Sequence, residues 1–214
     1  MHYWTDPQYS KRLLSITKSR HFKHLLDIEE EFLFKAFYTT SYLTGMRCGE
    51  MLALNWTDLD KFRREINVYK SLSFNKGEYK ITTPKTKNSI RRISVNPKLI
   101  SLLDQWKEKQ RKLFEQLNIQ YSENIYIFQY KDLPPSKDVF SRRIKKICER
   151  GSIKPIRLHD LRHSHVALLI HQKEDYATIK ERLGHASIKT TIDVYGHLFP
   201  NKQRVMADRL DDLL

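Results

Sequence analysis

Three short strings in this sequence bring together side chains able to act on a phosphate. In Thr44-Gly-Met-Arg-Cys-Gly-Glu50 an arginine follows a helix-ending glycine. The guanidinium fork of Arg47 suits two-pronged contact with phosphate oxygens, and Glu50, three residues on, can fix its direction. Taken alone, the pair also reads as an ordinary surface ion pair. In Leu158-His-Asp-Leu-Arg-His-Ser-His165, His159 and Arg162 stand three apart at a helix start, so both project from one face and can converge on one anion. Core histidines are the plain alternative. A metal is a weaker one: His159 and His163 have i, i+4 spacing, but Asp160 stands where a metalloprotease has Glu, and an arginine adjoins the would-be cation. In Leu183-Gly-His-Ala-Ser-Ile-Lys-Thr-Thr-Ile-Asp-Val-Tyr195, Gly184 stops a helix, His185 follows it, and Tyr195 closes the next helix. A phenol with a pKa near 10 is a poor nucleophile unless cationic donors stabilise its phenolate and the five-coordinate phosphorus it would form. A buried tyrosine in a helix-turn-helix is the plain reading.

The elements that must hold these strings are mostly helical. Asp27-Ile-Glu-Glu30 resembles a capping box, and Phe32, Leu33, Ala36, Phe37 and Leu43 follow at helical spacing up to Gly45. A short helix is expected over 47–54. Helices resume at 97–117, 136–150, 159–171, 175–183 and 187–195, and an amphipathic one closes the chain near 202–214. Between them, Glu65-Ile-Asn-Val-Tyr-Lys, Tyr79-Lys-Ile-Thr-Thr and Arg91-Arg-Ile-Ser-Val favour strands, with Asn75-Lys76-Gly77 as a turn between the first two. The expected fold class is mainly α with a small three-stranded antiparallel β-sheet. Tyr126-Ile-Phe is ambiguous, and residues 1–25 read as a linker or the remnant of one.

Composition narrows the partner. The 214 residues carry 39 Lys+Arg against 25 Asp+Glu, a net +14. Residues 61–92 hold ten basic and two acidic side chains, and residues 136–157 hold eight and two, so these two segments account for the whole excess. Such sorting points to a polyanion, with these segments as phosphate-contacting surfaces. At 40% hydrophobic content the chain has ample material for a core. No apolar run reaches the length of a membrane span, the start lacks a signal-peptide layout, and a cytoplasmic location is expected, with no membrane partner. Cys48 and Cys148 form no metal or redox motif and are expected as buried thiols. With no glycine-rich phosphate loop, nothing in the sequence cradles ATP or a dinucleotide.

Together, in this order, Thr-Gly-x-Arg-x-x-Glu, a lysine in a β-hairpin, His-x-x-Arg, and Leu-Gly-His followed ten residues later by tyrosine resemble the tyrosine recombinases, above all prophage and mobile-element integrases. The likeness covers residues 26–200. It implies the catalytic-domain fold of that family and site-specific integration or excision of DNA through a 3′-phosphotyrosine. In that scheme Arg47, Arg162 and His185 bind the non-bridging oxygens of the scissile phosphate, His159 supports them and helps manage the nucleophile's proton, and Tyr195 attacks. Glu50 orients Arg47. The general acid for the leaving 5′-oxygen lies in Pro84-Lys-Thr-Lys-Asn-Ser-Ile-Arg-Arg92, where Lys85 matches the family pattern and Lys87 is the alternative. The scheme needs no metal and no cofactor.

The same resemblance implies double-stranded DNA attachment sites, a homotetramer on DNA, accessory DNA-bending or directionality factors, and a bacterial host. It also implies that a tail helix at 201–214 docks on a neighbouring protomer. Relatives carry an N-terminal DNA-gripping domain, so the sequence is expected to be part of a longer integrase. A non-catalytic DNA-binding regulator and a type IB topoisomerase-like enzyme are the rival readings.

Overall fold

A computed structural model describes residues 19–75, 78–83, 89–131 and 133–195. Its centre is helix α2 (Phe32–Thr44), which buries Leu33, Phe34, Ala36, Phe37, Tyr38, Tyr42 and Thr44 and so presents no polar face. A helix apolar nearly all round must be enclosed. It is packed by α1 (Ser19–Ile28), α4 (Pro97–Gln116) and α6 (Leu158–His171). Phe37 stacks on Phe140 of α5 (Lys137–Arg150) with centroids 3.8 Å apart and meets Phe128 edge-on at 5.0 Å. The Tyr38 hydroxyl donates to the Phe140 carbonyl at 2.9 Å, so the polar end of this buried ring is satisfied.

The entrance to α2 differs from expectation. No capping box forms at Asp27–Glu30, because α1 occupies the chain as far as Ile28. The fully buried Glu29 accepts from the Glu31 N–H at 2.9 Å and is held by the Arg143 guanidinium of α5. Helix α1 also begins inside the stretch expected as linker: Phe22 and Leu25 are buried, and the Phe22 ring stacks on Tyr42 at 4.0 Å. The three-residue step from Phe22 to Leu25 puts both on one face of an amphipathic helix whose His21, Lys23 and His24 stay exposed.

The strands also pair otherwise than expected. β1 (Leu59–Asp60), β2 (Glu65–Val68) and β5 (Arg91–Ser94) form the antiparallel three-stranded sheet in the order β1-β2-β5, with Ile66 opposite Ile93 and Val68 opposite Arg91. The 79–83 stretch, β4 (Glu78–Thr82), pairs instead with β3 (Ser71–Asn75), a strand the sequence did not announce. It could not join β2, whose two edges are already taken by β1 and β5. Tyr126-Ile-Phe forms only a single bridge, Asn55 to Tyr126, and is pinned by α4: Gln110 donates to the carbonyls of Tyr126, Ile127 and Gln129, and Trp106 Nε1 to that of Ile127 at 2.6 Å.

Helices α3 (Cys48–Leu52), α7 (Tyr176–Leu183) and α8 (Ile188–Tyr195) complete the described chain. Val166, Ile170, Ile179, Leu183 and Tyr195 make a second, smaller apolar cluster beneath α7 and α8. Gly45 and Gly184 end α2 and α7 at φ +65, as their positions predict. The expected 202–214 helix lies outside the described residues. Cys148 is buried as expected, whereas Cys48 is only half-buried.

Candidate active site

A cleft of about 730 Å³ opens where the first turns of α3 and α6 face α5. Its lining includes Arg47, Lys137, Lys145, Arg157, His159 and Arg162, and, among the described residues, no carboxylate. Arg47 precedes α3 in extended backbone, and Glu50 holds it twice: its carboxylate accepts from the Arg47 N–H at 2.8 Å and from Nη1 at 2.9 Å. Arg47 is 43% exposed while Glu50 is only 5% exposed, so the acid sits behind the arginine and leaves the fork facing the cleft. A plain surface pair would expose both partners.

Arg162 enters from α6 and is 3% exposed. Its Nη1 donates to the Gly45 carbonyl at 2.5 Å and its Nη2 to the Leu183 carbonyl at 2.9 Å. One guanidinium thereby caps the C-termini of both α2 and α7, satisfying carbonyls that no intrahelical N–H can reach. Burial and the nearby Arg47 charge lower its pKa to about 10, which leaves it cationic at neutral pH. Arg162 Nη2 also lies 3.0 Å from His185 Nε2. Guanidinium only donates, so His185 accepts there and carries its proton on Nδ1. Burial first, then Arg162 and Arg47, push the His185 pKa down to about 4.

Tyr195 does not line the cleft. It is 2% exposed, and its hydroxyl lies 2.6 Å from Nδ1 of His163, itself 3% exposed. Burial and the neighbouring His159 lower His163 to about 3, so this imidazole is neutral. The His159 ring meets that of His163 edge-on at 4.5 Å. An ordered file, His159 to His163 to Tyr195, thus runs from the cleft wall inward. Among the described residues no group of three His, Cys, Asp or Glu is placed to hold a metal ion.

Four of the sequence-selected residues therefore meet around the cleft or its wall: Arg47, His159, Arg162 and His185. Glu50 supports the first, and Tyr195 stands behind His163. Lys85 and Lys87 fall at 84–88, outside the described residues. The basic segments are divided in use. In residues 61–92, Lys61 pairs with Asp104, Lys70 with Asp58 and Arg91 with Glu50. In residues 136–157, Lys137, Lys145 and Arg157 line the cleft, whereas Arg143 and Arg150 turn to Glu29, Glu31 and Glu30. Part of the positive excess is structural.

Four supporting residues were not selected from sequence: Arg91, His163, His165 and Arg182. Arg91 had a signal, since it shares strand parity with Ile93 and Val95, and all three are buried. Arg182 Nε donates to His165 Nε2 at 3.0 Å, so His165 gives its Nδ1–H to the Tyr42 carbonyl at 2.9 Å. Arg182 also donates to the carbonyls of Ser94 and Leu43. It ties β5, α2 and α6 to the turn that carries His185.

The sequence pattern of the phage integrase family matches residues 11–202. Over 96% of its length the chain is 59% identical to the ICEBs1 integrase of Bacillus subtilis (strain 168), covering 56% of that protein. Over 84% it is 30% identical to a tyrosine recombinase XerC-like protein of Caldanaerobacter subterraneus, covering 49% of it. The chain thus spans about half the length of these curated relatives. In fold it is similar to the integrase of transposon Tn1549 solved with transposon right-end DNA, with a TM-score of 0.70 at 19% identity over 96% of this chain and 65% of that one. The catalytic domain of bacteriophage HP1 integrase gives a TM-score of 0.56 at 16% identity, over 89% of this chain and 90% of that domain.

Proposed function

Because this chain belongs to the phage integrase family, we propose that it breaks and rejoins DNA at specific sites through a covalent link between Tyr195 and a 3′ phosphate. The observation that carries this reading is convergence: Arg47, His159, Arg162 and His185, drawn from three separate stretches of chain, gather about one cation-lined cleft, with the Tyr195 hydroxyl one imidazole away.

The cleft takes the scissile phosphate. Arg47, whose fork is free of Glu50 on one side, and Arg162 neutralise its non-bridging oxygens, and His185 adds a donor through the Nδ1–H that Arg162 enforces. His159 stands between the cleft and His163 and supports the same oxygens. Tyr195 Oη attacks phosphorus and gives up its proton to His159, the bond from phosphorus to the 5′-oxygen breaks, and Lys85, with Lys87 as alternative, gives that oxygen its proton. The products are a 3′-phosphotyrosine and a 5′-hydroxyl, and the reverse attack rejoins a strand without external energy. No step draws on a metal or cofactor. At 2% exposure the phenol cannot touch a duplex, so Tyr195 leaves His163 when DNA is engaged.

Double-stranded DNA attachment sites are the proposed substrate, and a homotetramer on DNA, in which residues 201–214 reach a neighbouring protomer, is the proposed assembly. The ICEBs1 and Tn1549 relatives support a mobile-element role. The test is a pool of nicked duplexes with randomised flanks. An SDS-resistant protein–DNA adduct is expected, and it should disappear in Tyr195→Phe. Adduct that persists in that variant rejects Tyr195 as nucleophile, and DNA binding without any adduct favours a non-catalytic regulator.

A further inference from the structure

Arg91 is the one buried arginine in the basic 61–92 segment whose partners all belong to pieces of the site. Its side chain is 4% exposed. Nη1 and Nη2 donate to the two oxygens of Glu50 at 3.1 and 2.8 Å, Nε donates to the Arg182 carbonyl at 2.8 Å, and Nη1 also reaches the Ser89 carbonyl at 3.1 Å. Each partner leads to a different catalytic group. Glu50 holds Arg47. Arg182 lies in the last turn of α7, three residues before His185. Ser89 directly follows the 84–88 stretch that carries Lys85 and Lys87.

We propose that Arg91 is a positioning residue that sets Arg47, the His185 turn and the Ser89 carbonyl relative to one another. The proposal rests on the recombinase reading above. Its physical basis is the rigid fork: a planar guanidinium with five donors holds four acceptor oxygens from three residues, which a lysine ammonium on a flexible stem cannot do. Arg91 stands on β5, and the same strand gives its Ser94 carbonyl to Arg182, so strand and α7 turn are joined twice. The α7 C-terminus has its Arg182 carbonyl taken by Arg91 and its Leu183 carbonyl by Arg162. Cations at the negative end of a helix are favourable as well as directional. Glu50, between Arg47 and Arg91, is held below the usual carboxylate range despite its burial, by the Arg91 hydrogen bonds and charge and then by Arg47. It therefore stays anionic and grips both arginines.

The test compares the unsubstituted chain with Arg91→Lys and Arg91→Met on two nicked-duplex pools, one with an ordinary scissile phosphate and one with a 5′-bridging sulfur, whose departure needs no proton. Urea midpoints and DNA affinity are measured beside adduct rates. Both variants are expected to lose at least about tenfold in adduct rate at nearly unchanged DNA affinity. Because Arg91 holds the Ser89 carbonyl, the first described residue after the stretch that carries Lys85 and Lys87, part of that loss should be regained on the sulfur substrate, which mere loosening of the fold would not produce. The proposal is overturned if Arg91→Lys matches the unsubstituted chain on both pools, or if the loss tracks the fraction unfolded and is equal on both. Absence of adduct from the unsubstituted chain would instead reject the recombinase reading, and this proposal with it.

Discussion

Replacing Tyr195 by phenylalanine should cost stability as well as remove the proposed nucleophile. The hydroxyl lies 2.6 Å from His163 Nδ1, with the two residues 2% and 3% exposed. The ring itself packs with Val166, Ile170, Ile179 and Leu183 and is retained in phenylalanine, so the apolar contribution is unchanged. What is lost is one buried hydrogen bond with its imidazole partner left in place, worth about 1–3 kcal/mol. With a urea m-value of about 2 kcal/mol/M, a loss near the middle of that range lowers the midpoint by roughly 1 M. The measurement is urea unfolding at pH 7.5, followed by tryptophan fluorescence, for the unsubstituted chain, Tyr195→Phe, His163→Leu and the double variant. A coupling energy of about 1 kcal/mol is expected between the two positions, since each single change deletes the same bond. A Tyr195→Phe midpoint equal to that of the unsubstituted chain, or fully additive single effects, would refute the claim that His163 holds the phenol in the resting protein.

Acid should destabilise the fold well above the carboxylate range. His163 and His165, each 3% exposed, have folded pKa values near 3 against about 6.5 unfolded, so the unfolded chain takes up protons first as pH falls below 6.5. Stability is full above that pH and drops by up to about 1.4 kcal/mol per unit for each histidine until pH 3; urea midpoints between pH 7.5 and 5 should fall steeply, and His163→Gln should flatten the slope by close to one proton. Gly45→Ala should cost about 2–4 kcal/mol, combining a left-handed φ of +65 with a new Cβ 2.5 Å from the His165 ring, and a thermal midpoint within a degree of the unsubstituted chain would count against it. Lys85→Ala should abolish adduct on ordinary DNA and recover on the 5′-bridging sulfur substrate; no recovery there points to Lys87 as the acid or to a structural role for Lys85. Deleting residues 202–214 should impair higher-order assembly on DNA, seen by sedimentation, more than binding by the monomer.

Most of the helices were legible because a cap or a terminal glycine writes at least one of their boundaries. Gly45 and Gly184 announce left-handed C-caps, Asn96 caps α4 by accepting from the Leu99 N–H, and Asp175 caps α7 by accepting from the Thr178 N–H. Strand pairing is not local in that sense. β2 and β5 are joined across the whole β3–β4 hairpin, and nothing within Glu65–Val68 says that its second neighbour begins at Arg91. Helix α1 is not marked in the sequence because it has no acidic residue in its first turn and no basic one in its last. Arg47, Arg162 and His185 could be picked out by type and spacing. That Arg162 spends its donors on the Gly45 and Leu183 carbonyls, or that Tyr195 sits against His163, depends on how α2, α6, α7 and α8 pack, which no local pattern encodes.

The charges of the cleft explain why so much of its wiring runs behind it. Among the described residues, Arg47, Lys137, Lys145, Arg157 and Arg162 share the lining with no carboxylate, and the pKa of Arg162 and of His185 falls under mutual repulsion added to burial. A cation cluster of this kind would splay into solvent if its members were free to move. Instead Arg162 is fixed to two helix-terminal carbonyls, and Arg47 to a carboxylate that faces away from the opening. Neutral acceptors and a recessed acid hold the geometry without filling the cleft with counter-charge. Glu50 would quench the field if it stood in the lining; behind Arg47, and shared with Arg91, it restrains the arginine and leaves the net positive potential facing outward. In the recombinase reading proposed above, an incoming phosphate would relieve repulsion already present in the folded protein, and its charge would meet donors already held in place, the condition under which electrostatic stabilisation of a transition state is largest.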